Sequence, residues 1–245
     1  MNNVVIIVGV LLFSMMPFAQ TGIEIIERVD NNRVVASLSY KATLVINIAG
    51  KVREKSFEGF AEGEDRAYFE FTAPARDRGT RFLQIDDEMW MYIPAVEKAT
   101  KIAGHMLRQS LMGSDFSYDD FTENKELLDM YDIEMLESDT CLGATCYVLE
   151  LTANVAEVSY YRRKMWVSES TYIPLKTNLY AKSGKLLKAV TVLEVREFDT
   201  RHYPVRVLME NKLRRNTSTE LILEDIQIDI AVPSNIFTKA YLERK

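Results

Sequence analysis

Between Leu38 and Ile48 the chain alternates. Leu38, Tyr40, Ala42, Leu44, Ile46 and Ile48 take the even positions; Ser39, Lys41, Thr43, Val45 and Asn47 take the odd ones. A β-strand sends successive side chains to opposite faces, so this run dictates a long strand with one drier face. The pattern recurs. "AGK" turns, and "VREKSFEGFAE" reads as the returning strand; "GED" turns again into "RAYFEFTAP", with Phe69 and Phe71 on one face. Pro74 ends that strand because proline cannot donate to a ladder. "GTRFLQI", the turn "DDE" and "MWMYIPA" make the next hairpin. Further strands read as "CYVLELTA", "VSYYRRKMWV", "IPLKTNLYA", "LLKAVTVLEV", "YPVRVLMENKL" and "TELILEDIQIDIAV".

Residues 97–125 do not alternate. Met106, Leu107, Leu111 and Met112 suit a short irregular helix, and "GSDFSYDDF" an ordered loop carrying aromatics. Ile25, Ile26 and Val29 give an apolar stripe at helical spacing near the start, and Ile236, Phe237, Ala240 and Tyr241 another near the end. The chain is therefore mainly β: about eleven antiparallel strands, hairpin after hairpin, with helices at the start, middle and end. A sheet this wide twists and curls. The expected architecture is an incomplete antiparallel β-barrel with helices covering its concave face. No Pro/Gly/Ser-rich linker interrupts it, so residues 20–245 read as one domain.

"EMWMYIPAV" departs from alternation: Met89, Trp90, Met91, Tyr92 and Ile93 are all large and apolar. Met89, Met91 and Ile93 share one face and Trp90 and Tyr92 the other. Periodicity does not say which set faces the helices. Trp90 and Tyr92 are expected to point inward, since their rims can hydrogen-bond while their bodies stay dry.

"VVIIVGVLLF" is an uninterrupted apolar run near the amino terminus, too short to span a bilayer, which takes ~20 residues. Pro17 and Ala19 follow it. Residues 1–19 read as a secretory signal peptide, cleaved near Ala19 or Gln20, and the rest as a soluble, exported protein. "MNN" supplies no Lys or Arg, and the alternative is a buried N-terminal strand. In an oxidising compartment Cys141 and Cys146 can close the loop "LGAT" as a disulfide; the alternative is two free thiols.

Formal net charge is -6, so the overall field does not favour nucleic acid. The chain has no G-x-S-x-G, H-E-x-x-H, P-loop or G-x-G-x-x-G motif and only two histidines, His105 and His202. It does not read as an enzyme, and no cofactor or metal is implied. Asp115, Asp119 and Asp120 admit two readings, turn capping or a hard-cation site. Arg76, Arg78 and Arg81, with Arg162, Arg163 and Lys164, form either a rim for lipid phosphates or solvated strand faces.

At "RGT" (Arg78–Thr80), "WMYIPA" (Trp90–Ala95) and "MGSDFSYDDF" (Met112–Phe121) the sequence resembles the LolA-like outer-membrane lipoprotein-sorting proteins, and the resemblance extends over the mature chain. It implies an unclosed barrel with a helical lid and a hydrophobic cavity. The function implied is a periplasmic carrier that binds acyl chains of lipoproteins or lipids, as a monomer. A non-carrier subunit of a lipid- or drug-export pump is the alternative, with an inner-membrane transporter as partner. In the best-studied carrier an arginine inside the cavity helps hold the lid; no motif places its counterpart here. Phe69, Phe71, Trp90, Tyr92, Met106, Leu107, Leu111, Met112 and Phe116 are the expected lining of cavity and lid.

Overall fold

Period-two alternation becomes one open antiparallel sheet of thirteen strands, seen in a computed structural model that describes residues 20–33, 35–122, 127–198 and 201–244. The expected signal segment, residues 1–19, lies outside them. Helix α1 (Gly22–Arg33) precedes a first meander: β1 (Ser37–Ile48), β2 (Lys51–Glu62), β3 (Arg66–Ala73), β4 (Arg81–Ile85), β5 (Glu88–Ile93) and β6 (Lys98–Ile102). Next comes a stretch with α2 (Gly104–Leu107), a 3-10 turn (Leu111–Gly113), α3 (Asp119–Thr122) and α4 (Leu127–Met130). The second meander is β7 (Tyr131–Cys141), β8 (Ala144–Ala153), β9 (Arg162–Ser168), β10 (Pro174–Tyr180), β11 (Leu186–Phe198), β12 (Arg201–Asn211) and β13 (Thr217–Ile228). A 3-10 turn (Ser234–Phe237) and α5 (Lys239–Leu242) follow.

The strand order is β6-β5-β4-β3-β2-β1-β13-β12-β11-β10-β9-β8-β7. Pairing of β1 with β13 welds the two meanders at the middle and leaves β6 and β7 as the free edges. Turn chemistry sets the register. Ala49 and Gly50 both have positive φ, 51° and 82°, the two-residue turn whose twist matches a hairpin, so Ile48 pairs with Lys51.

The sequence led us to expect about eleven strands, and the two it missed are the two edges. β6 reads "KATKI" and has one buried residue, Ile102. β7 is exposed from Asp132 to Thr140 apart from the half-buried Ile133 and Leu136, and carries Glu134, Glu137 and Asp139. Edge strands bear charge because an apolar edge would pair with other chains, and with so few buried positions they carry only a weak form of the pattern by which strands are recognised.

Register carries one face across the whole sheet. Val167 and Met165 of β9, Val190 of β11, Met209 of β12 and Leu221 of β13 lie on the side of Leu44, Phe57, Phe69, Phe82 and Met91. We call this the inner face. The stretch from Ala103 to Met130 joins one edge strand to the other, so it must cross a face of the sheet. It crosses this one: Leu111 and Phe116 are buried against Phe57, Phe69, Phe71 and Phe82. α1 covers the other half of the same face, burying Ile25, Ile26 and Val29 on Leu149, Leu151, Met165 and Val167, as its stripe predicts.

The C-terminal elements do not join them. Ile236, Phe237 and Leu242 pack on Tyr68, Leu83 and Tyr92, the opposite face of β3–β5. The expectation that all helices cover one face is corrected here. The expected single stripe also splits: the 3-10 turn buries Ile236 and Phe237, α5 buries Leu242, and Ala240 is exposed. No helix of the described residues is long and apolar enough to cross a membrane.

Candidate functional site

The crossing segment is a lid built on a tight loop. Within it Leu111 N–H donates to the Phe116 carbonyl at 2.8 Å and Ser114 Oγ to the Leu111 carbonyl at 2.7 Å. Met112 and Gly113 take positive φ, 50° and 83°, which turns the chain back on itself. Two polar clamps then fasten the loop to the sheet. The Asp115 carboxylate accepts from Thr219 Oγ1 of β13 at 2.9 Å, and Thr219 Oγ1 accepts from the Asp115 N–H at 2.9 Å. Asp120 of α3 accepts from Lys188 Nζ of β11 at 2.6 Å, from the Tyr160 hydroxyl at 2.6 Å, and from Ser117 N–H and Oγ at 2.7 and 2.8 Å. Asp119 accepts from the Ser159 hydroxyl.

These bonds explain "MGSDFSYDDF". Neither earlier reading of its carboxylates is sufficient. Asp120 does cap its own turn through Ser117, but its tertiary partners lie on the sheet and on the Tyr160 segment. Arg163 also faces inward, its guanidinium 4.9 Å from the Tyr131 ring and 5.5 Å from that of Tyr160.

Beneath the lid the inner face is aromatic. Phe69 stacks on Phe82 with centroids 4.7 Å apart and planes at 17°. Phe121 and Tyr118 of the lid approach Phe69 and Phe82 at 5.9 and 5.8 Å. Each such pair adds ~0.5–1.5 kcal/mol beyond its buried area. Of the predicted lining, Phe69, Phe71, Leu111 and Phe116 are buried here, with Met106, Leu107 and Met112 half-buried against them.

Trp90 and Tyr92 are not in this group. Their expected inward facing is reversed: β5 turns Met89 and Met91 toward the lid, and Trp90 and Tyr92 toward the C-terminal turns. Lys239 Nζ sits 3.5 Å from the Trp90 ring centroid, and Arg81 5.1 Å from that of Tyr92. The signal was available. Asp86-Asp87 is a two-residue loop, so Ile85 pairs with Glu88 and Phe82 with Met91. Carrying that register from Phe69 through Phe82 places the methionines inside. Sequence reading also missed Tyr40, Phe57, Phe82 and Phe121, and the sheet anchors Lys188 and Thr219, whose strands look like ordinary half-polar ones.

A recess of about 230 Å³ opens at the end of the inner face where β1 begins. Its walls include Leu38, Tyr40, Phe69, Phe121, Leu221 and Leu223, and exposed Glu64 and Arg66 stand at its mouth. Its floor follows from sequence. Ala61 and Ala67 face each other across β2 and β3, so only methyl groups floor the space. Gly59 must be glycine: a Cβ there would lie 2.7 Å from the Tyr40 hydroxyl and 2.8 Å from the Tyr68 carbonyl oxygen. Burial, followed by the nearby Tyr203, raises the Tyr40 phenol well above its ordinary range.

The basic residues do not form one rim. Strand alternation sends Arg163 inward and Arg162 and Lys164 outward. Arg81 binds Glu70 and the carbonyls of Leu242 and Arg244. Arg78 donates to the Thr72 carbonyl at 3.0 Å, and Gly79 takes φ 80° beside Pro94, so "RGT" is a turn motif. Lys55, on the inner face, is buried in an ion pair with Asp77 at 2.6 Å. Cys141 and Cys146 are buried free thiols; burial raises both.

An open antiparallel sheet spanned from edge to edge by a clamped helical lid is the LolA-like fold. A family model described as "Uncharacterized protein"-like matches residues 63–244, and the chain belongs to that family. No curated protein matches the sequence. Among solved structures, a DUF1329 family protein from Desulfovibrio piger is similar with a TM-score of 0.84 at 26% identity, over 90% of this chain and 97% of that one. A domain described as an outer membrane lipoprotein-sorting protein, from Vibrio parahaemolyticus, gives 0.81 at 23% identity, over 91% and 98%. A LolA superfamily protein from Nitrosomonas europaea gives 0.76 at 24% identity, over 91% and 100%. The resemblance carried by "RGT", "WMYIPA" and "MGSDFSYDDF" is borne out.

Proposed function

We propose that this protein is a periplasmic carrier that shelters an acyl chain of a lipoprotein or lipid between the inner sheet face and the lid. The observation that carries the reading is the recess itself: apolar walls, a floor of small residues, and a lid aromatic, Phe121, along its side. At ~30 Å³ per water-sized group it holds about eight methylenes. Burying eight gains ~6 kcal/mol gross, before the cost of ordering the chain. Small-ligand sites usually run to ~300–1,000 Å³, so a full-length chain needs the lid to yield. Half-buried Met91, Met106 and Met112 suit that movement, since unbranched thioethers repack at low cost. The Lys188–Asp120 and Thr219–Asp115 clamps set how firmly the lid is shut.

Native mass spectrometry on protein purified from its own export compartment, with lipid extraction, tests this. A co-purifying acylated molecule and saturable uptake of a fluorescent fatty acid are the expected results. Protein that arrives free of lipid and takes up no fatty acid overturns the carrier reading.

A further inference from the structure

The two free edges of the sheet differ in sign. β6 carries Lys98 and Lys101, the cationic guard that discourages another strand. β7 carries Asp132, Glu134, Glu137 and Asp139 and no cation. Its backbone is paired on one side only. The Asn154 N–H donates to the Met130 carbonyl at 2.9 Å, so the antiparallel ladder spends Asp132, Glu134 and Leu136 on β8. The N–H and C=O of Ile133 and Met135 therefore point away from the sheet.

The side chains beside that ladder form two rows. On the inner side, Ile133 and Met135 lie against the start of α1: a Cβ on Gly22 would meet Ile133 Cγ2 at 2.9 Å and Met135 Cβ at 3.9 Å. Met135 is 41% exposed and Ile23, the next residue of α1, 55%. On the outer side Glu134 stands directly opposite Glu150, a like-charge pair. Arg162 binds Glu150 at 2.6 Å, while Glu134 has no ion pair among the described residues. The vacant side of β7 is where a cation would complete the row.

We infer that β7 is a docking edge for an extended segment of another protein in which apolar and basic residues alternate. Added antiparallel, such a segment exchanges hydrogen bonds with Ile133 and Met135. Its residues opposite Ile133 and Met135 point inward, onto the exposed apolar row. Those opposite Asp132 and Glu134 point outward, where lysine or arginine pairs with the carboxylates. Charge of a single sign repels acidic strands and disfavours neutral ones, so the protection of this edge doubles as a choice of partner. The irregularity between Leu136 and Asp139 interrupts the ladder and confines the segment to the first half of β7. The recess takes its walls from other strands, so partner and cargo use separate surfaces.

Fluorescence anisotropy with short labelled peptides of equal length tests this on the purified protein. One peptide alternates valine and lysine, one alternates valine and glutamate, and one carries the same valines and lysines in two blocks. The alternating lysine peptide is expected to bind about tenfold tighter than either of the others. On binding, amide exchange at Ile133 and Met135 slows while that of β6 is unchanged. Glu134→Lys, at an exposed position, shifts the preference toward the glutamate peptide. Absence of binding by the alternating lysine peptide overturns the inference, as does equal binding of the blocked one, because charge alone then suffices. Protection at β6 in place of Ile133 and Met135 overturns it as well. A protein already dimeric, with both amides protected before any peptide is added, assigns the edge to a second copy and not to a basic partner. The comparison among peptides on the unaltered protein needs no variant to fold.

Discussion

Lys188 of β11 and Asp120 of α3 meet at 2.6 Å, with side chains only 13% and 9% exposed. One belongs to the sheet and the other to the lid. The Asp120 carboxylate is shared with Tyr160 and Ser117, so its charge is neutralised and fully hydrogen-bonded.

Removing one partner of a buried pair leaves the other charged and dry, which costs about 3–5 kcal/mol. Asp120→Ala is therefore expected to lower unfolding free energy by that order in urea titration. Amide hydrogen exchange across residues 109–121 should quicken at the same time. Adding Lys188→Met to it should recover part of the loss, since the stranded ammonium is gone. Unchanged stability and exchange in Asp120→Ala would show that the lid is held without this pair, by its aromatics and the Asp115–Thr219 bonds.

The facing of β5 gives a second expectation. Met91→Ala opens the lid-side surface and should alter uptake of a fluorescent fatty acid at least several-fold. Trp90→Ala removes contacts with Glu88, Lys239 and the C-terminal turns, all off the inner face, so uptake should stay within about twofold while the C-terminal segment becomes more sensitive to protease. The reverse pattern would mean that cargo binds the outer face.

Alkaline pH supplies a third. Burial raises both the Tyr40 and Tyr68 phenols, Tyr68 with help from its bond to Glu70. An unfolded tyrosine ionises near ~10, so above that pH the unfolded chain loses protons that the folded chain keeps. Stability contributed by these groups is full below ~10 and is lost as pH rises, with a limiting slope of ~1.4 kcal/mol per pH unit for each tyrosine. Urea titrations at pH 9 and pH 11 should show the fall, and Tyr40→Phe should shallow it. An identical slope in that variant would place the Tyr40 hydroxyl in water rather than under the lid.

The sequence by itself determined which segments are strands and where they turn, because side-chain alternation and positive-φ turn positions act locally. Leu38–Ile48 with its "AGK" turn is legible without any neighbour, and so is the stripe Ile25, Ile26 and Val29. Local pattern failed at β6 and β7, whose charged surfaces follow from their place at the sheet's edges. It failed again at Trp90 and Tyr92, because period two divides a strand into two sets and is unchanged when the faces are exchanged. Tertiary structure settled that choice: the connection from β6 to β7 has to cross one face, and its aspartates find Lys188 and Thr219 only there. The recess was likewise invisible along the chain, since Ala61 and Ala67 become one floor only when β2 and β3 lie side by side.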